Sequence, residues 1–113
     1  MTIAKFKIAF GGKLAEQLTP AMERHNASSD VTRKELAQKF FQCEKISRGG
    51  GIQCRVQLTF PEIKYFLDDV TDLYKAHAGI DDILDKASRN RLVGIQANRT
   101  KKKLESALAT ANA

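Results

Sequence analysis

Apolar and polar positions alternate with period two at the start of the chain. Ala4, Phe6, Ile8 and Phe10 fall on one side, and Ile3, Lys5, Lys7 and Ala9 on the other. That period predicts a half-buried strand over 2–10, ended by the Gly11-Gly12 pair. The same alternation returns later, with Ile52, Cys54, Val56, Leu58 and Phe60 facing inward and Gln53, Arg55, Gln57 and Thr59 outward. A strand over 52–60 follows. The glycines of Arg48-Gly49-Gly50-Gly51 before it mark a turn, so 43–48 pairs back on it as a hairpin. With Arg48 opposite Ile52, Ile46 faces Cys54 and Cys43 faces Gln57, which does not make the cysteines partners.

Elsewhere the spacing is helical. Leu14, Leu18, Met22 and His25 share a face, but Pro20 removes a backbone donor and crowds the preceding turn. The expected solution is a helix over 20–27 with Thr19 as N-cap and Pro20 as first residue; a kinked helix from Lys13 is the alternative. The polar linker 26–30 comes next. Thr32 to Glu35 fits a capping box, with Val31 and Leu36 as its hydrophobic staple, and predicts a helix over 33–41 carrying Leu36, Ala37, Phe40 and Phe41. Thr59-Phe60-Pro61-Glu62 is a second capping box. It opens the most regular amphipathic helix of the chain, over 61–77, with Ile63, Phe66, Leu67, Val70, Leu73 and Tyr74 inward and Asp68, Asp69 and Asp72 on the wet face. Gly79 ends it. A last helical stretch spans 80–108, with a break in phase near 88–90 and another near Asn98, and 109–113 are expected to fray.

These elements predict a single α+β domain over residues 1–113. A small antiparallel sheet, built from the N-terminal strand and the hairpin, is packed by about four helices, and the C-terminal half is helical. Such a sheet has edges, and Lys5 and Lys7 would discourage one of them from pairing with other chains. The length of 113 residues and the 42% hydrophobic content suit one modest core. No apolar run reaches the ~20 residues of a membrane helix, so no membrane role is expected. Two lysines in the first seven residues argue against an export signal. Two cysteines without tryptophan fit a reducing compartment, and the cytoplasm is the expected location.

Charge changes the picture more than composition does. The net charge is +6. Residues 1–60 carry ten Lys/Arg against five Asp/Glu, residues 61–88 three against seven, and residues 89–113 six against one. Segregated blocks mean either faces that neutralise each other across the fold or two binding faces. Two basic clusters stand out as phosphate-contacting candidates. Lys45, Arg48 and Arg55 surround the glycine hairpin tip, and Arg89, Arg91, Arg99, Lys101, Lys102 and Lys103 form the densest basic run. Gly11-Gly12-Lys13 after a strand is a weaker phosphate candidate, because it lacks the longer glycine-spaced loop and the hydroxyl residue that follows the lysine. A helix-turn-helix fits poorly, since Arg99 stands where that motif wants an apolar residue.

Catalytic and metal-binding constellations are scarce. His25 and His77 are isolated in sequence, the cysteines lack zinc-site spacing, and the aspartates do not follow a calcium loop. No enzyme activity, cofactor or metal is expected. The leading expectation is a small, basic, non-enzymatic protein that binds nucleic acid, DNA or RNA, mainly through the phosphate backbone. The alternative is a protein-binding module, an inhibitor, adaptor or assembly subunit, docking through the acidic 61–88 helices or the basic C-terminal segment. A homodimer is left open.

Overall fold

A computed structural model describes residues 5–49, 51–77 and 89–111, with the backbone alone for Arg48, His77, 89–92 and Ala111. The fold is α+β, as the patterning predicts. Its order is β1 (Lys5–Gly11), α1 (Gly12–Asn26), α2 (Val31–Phe41), β2 (Glu44–Arg48), β3 (Gly51–Thr59), α3 (Phe60–His77) and α4 (Arg89–Ala111). The strands form one antiparallel sheet in the order β1-β3-β2. Among the described residues no helix is long and apolar enough to cross a membrane. The expected helix over 80–88 and the stop at Gly79 lie outside the described residues; α4 runs unbroken from Arg89 to Ala111, so no break falls at 89–90 or near Asn98.

Of the inward positions expected in β1 and β3, Ile8, Phe10, Cys54, Val56 and Leu58 are buried, while Ile52 at the hairpin end is 54% exposed and Phe60 opens α3. Helices cover that face. Phe10 of β1 stacks on Phe40 of α2, with centroids 6.0 Å apart, and tilts against Phe66 of α3 at 5.4 Å. These three rings tie strand, second helix and third helix into one core, joined by Val93, Ala97 and Leu104 of α4. α4 also packs against β1 and α1. The second capping box forms in part: Glu62 Oε1 accepts the Thr59 amide at 2.8 Å. Glu62 is wholly buried and its carboxylate also receives Lys39 Nζ at 2.7 Å, so the start of α3 is clamped to α2.

Three further local expectations are corrected. First, α1 is one helix from Gly12 to Asn26 with Pro20 inside it, rather than a helix that starts at Pro20 behind a Thr19 cap. Burial of Leu14, Leu18, Met22 and His25 along a single stripe holds the helix through the proline. Pro20 sits on the exposed side, as does Glu16, whose carbonyl it leaves without a helical donor, and the Thr19 hydroxyl donates to Ala15 O at 3.1 Å. Second, the N-cap of α2 is Asp30 and not Thr32: its carboxylate accepts the Arg33 amide at 3.2 Å. Val31 is 67% exposed, so no staple forms. The amide bond holds the Asp30 carboxyl below the usual range. Third, the hairpin is shifted by one residue: Arg48 pairs with Gly51, Ile46 with Gln53 and Lys45 with Cys54. Gly49, at φ 55°, occupies the left-handed region that a tight two-residue connection demands.

The accommodated proline generates a prediction. Pro20→Ala restores the hydrogen bond to the Glu16 carbonyl at an exposed site, and should raise stability by about 1–3 kcal/mol in urea denaturation. Unchanged or lower stability would mean that the helix does not run through Pro20.

Candidate nucleic-acid interface

Among the described residues the sheet has one face covered by helices and one open face. Register places Lys5, Lys7 and Ala9 of β1, Gln53, Arg55 and Gln57 of β3, and Glu44 and Ile46 of β2 on the open one. Lys7 lies opposite Gln57, and Arg55 lies between Ala9 and Glu44. Glu44 is the only acidic residue in the three strands. A depression of about 550 Å³ lies over this face, lined by Lys7, Ala9, Glu44, Gln53, Arg55 and Gln57. Arg55 Nη2 donates to Gln53 Oε1 at 3.4 Å, and both side chains are in contact with that depression.

α4 brings the second basic block to the β1 side of this face. Its buried stripe is Val93, Ala97, Thr100 and Leu104. Gln96, Arg99 and Lys103 flank that stripe on the side toward β1. Lys103 Nζ reaches the Ala9 carbonyl at 3.4 Å. A second depression runs between the helix and the hairpin, lined by Ala9, Gln53, Arg99 and Lys103 among others. Ala9 and Gln53 line both depressions, so Lys7, Arg55, Arg99 and Lys103 border one continuous surface.

The expected site residues divide accordingly. Arg55, Arg99 and Lys103 come together. Lys102 is exposed on the solvent side of α4, and Lys101 lies on the far flank, where Glu105 Oε2 accepts its ammonium at 3.1 Å. Lys45 does not join Arg55: opposite Cys54, it takes the other side of the sheet. The expected pairing put Lys45 across from Arg55, and a slip of one residue exchanges every side chain of a strand between faces. Arg48 pairs with Gly51, and Arg89 and Arg91 lie in the first turn of α4; their side chains are outside the described residues. β1 is an edge strand of the sheet, as the edge-guard expectation for Lys5 and Lys7 requires, and both lysines stand over the open face beside α4. Their period-two spacing on the strand that precedes α1 was the signal for this.

The acidic block does not neutralise the basic helix among the described residues. Glu62 is committed to Lys39 and Asp69 to His25, while Asp68 and Asp72 are exposed. His25 is 6% exposed and far from isolated. Arg33 Nε donates to its Nδ1 at 2.8 Å, which leaves Nε2 to carry the proton shared with Asp69 Oδ2 at 2.6 Å. Burial pushes the Asp69 carboxyl up, and the hydrogen bond from His25 draws it back. Tyr65 donates to Asp30 at 3.1 Å and meets the His25 ring edge-on. With both ring nitrogens engaged, His25 ties α1, α2 and α3 together and has no nitrogen to offer a substrate. Among the described residues no group of three or more His, Cys, Asp or Glu could hold a metal ion.

The Gly11-Gly12-Lys13 turn has a structural occupant. Gly11 caps α1 without a side chain, and the Gln96 amide of α4 supplies what it lacks: Oε1 accepts the Leu14 N–H at 2.9 Å. A Cβ on Gly11 would collide with that amide. The glycine is there to admit Gln96, and one of the amides a phosphate would need is already taken. Compared with known proteins, the chain matches no family model, no curated protein and no solved structure.

Gly11→Ala should displace the Gln96 amide and cost about 1 kcal/mol, the value of one hydrogen bond. In a Gln96→Ala background the same change should cost clearly less. Equal costs in both backgrounds, measured by urea denaturation of the double-mutant cycle, would show that Gln96 does not cap α1.

Proposed function

We propose that the protein binds nucleic acid, mainly by its phosphate backbone, on the open face of the sheet and the adjoining flank of α4. The observation that carries this reading is the convergence of Lys7 and Arg55 with Arg99 and Lys103 on one surface, although some 90 residues separate Lys7 from Arg99 in the chain. A single acidic strand residue faces them, and glutamines fill the places between, donating and accepting without adding negative charge. Guanidinium and ammonium groups pair with phosphate oxygens, and each phosphate neutralised releases condensed counterions. No aromatic side chain stands at an outward strand position, so the surface suits backbone tracking rather than base stacking. The binding needs no cofactor, metal or catalytic group.

Anisotropy titration of a labelled random-sequence duplex and of an RNA of equal length tests this. The logarithm of affinity should fall linearly with the logarithm of salt, with a slope near −0.9 for each phosphate neutralised on duplex. Lys7→Ala, Arg55→Ala, Arg99→Ala and Lys103→Ala should each weaken binding and lower the slope by about 1. Lys45→Ala and Lys101→Ala should leave both near wild type. A flat salt response overturns the reading, and absence of binding at low salt returns the protein-docking alternative.

A further inference from the structure

We propose that Cys43 and Cys54 form an oxidisable pair, a modification site at which a peroxide converts two thiols into one intramolecular disulfide. The one-residue shift of the hairpin creates this pair. With Arg48 opposite Ile52, Cys43 would stand on the other side of the sheet from Cys54. The observed pairing of Glu44 with Arg55 and Lys45 with Cys54 puts Cys43, the residue before β2, diagonally across from Cys54 on the helix-covered side. There the Cys43 thiol is near enough to help push the Cys54 thiol up. Cys43 lies in the connection between α2 and β2 rather than inside a strand, so it can make the small approach that an S–S bond requires.

The two sulfurs differ in access. Cys54 is 1% exposed, and burial with the neighbouring thiol pushes its own thiol up to about 11. It is protonated and shielded, and does not meet an oxidant first. Cys43 is half-buried and lines a depression, so an oxidant reaches its sulfur first. The Cys43 sulfur gives up its proton to water and attacks one oxygen of hydrogen peroxide, the O–O bond breaks, and the departing hydroxide takes a proton to become water. The resulting sulfenic acid is attacked at sulfur by Cys54, which gives up its proton as the S–S bond forms, and the hydroxyl leaves as a second water. The balance is two thiols and one peroxide to one disulfide and two waters.

Trypsin separates the partners, since Lys45 and Arg48 lie between them: Cys43 falls in peptide 40–45 and Cys54 in 49–55. The reduced full chain is treated with hydrogen peroxide, its thiols are counted in denaturant, and the non-reduced digest is weighed. The expected result is loss of both thiols together in a monomer, with 40–45 and 49–55 joined. Cys43→Ser should leave Cys54 unoxidised, and Cys54→Ala, which needs no hydrogen-bonding partner in the core, should halt Cys43 at a sulfenic acid that dimedone traps. Disulfide-linked dimers, oxidation of Cys43 with Cys54 still free in the wild type, or both thiols surviving the peroxide would each overturn the proposal.

Discussion

The register of β2 on β3 is the constraint on which the rest of this molecule turns. A strand has two faces, and a shift of one residue exchanges them. Pairing Glu44 with Arg55 sends Lys45 and Cys43 to the side of Cys54 and leaves Glu44 and Ile46 beside Arg55. The open face and the thiol pair both follow from that one choice. The choice itself is made by the turn: Arg48 meets Gly51 across a connection that begins with Gly49 at positive φ, a conformation that costs glycine little and most other residues much more.

A second constraint places the C-terminal helix. α4 packs on α3 through an apolar stripe, but its position beside β1 is fixed by polar reach as well. Gln96 enters the space that Gly11 leaves and caps α1, and Lys103 meets the Ala9 carbonyl. That docking sets Arg99 and Lys103 next to the sheet while Lys101 turns away to Glu105. Core packing and surface chemistry are therefore linked: the residues that cap a helix also deliver the cations.

Period two in β1 and β3 and period 3.6 in α3 were legible in the sequence because each element buries one face, and Glu62 revealed the start of α3. Four features were not legible, each for a tertiary reason. Pro20 argues locally for a helix start, but the buried stripe from Leu14 to His25 outweighs the single lost hydrogen bond. Thr32 and Asp30 both suit a cap, and the tie of Asp30 to Tyr65 of α3 lies 35 residues away. Three consecutive glycines leave the hairpin connection ambiguous by one residue. His25 looked isolated because its partners Arg33 and Asp69 belong to other helices. Of the candidate site, the basic residue types were readable; which of them share a surface was not, because helical angle and strand register decide it.

The most direct test of the central claim, that cations from β1, β3 and α4 act as one anion-attracting surface, is an amide chemical-shift titration with a short duplex at low salt. The account predicts that Lys7, Gln53, Arg55, Arg99 and Lys103 shift together along one binding isotherm while Lys45 and Lys101 stay in place. Shifts centred on Lys45, Lys101 or the exposed aspartates of α3, or separate isotherms for the sheet and for α4, would contradict it.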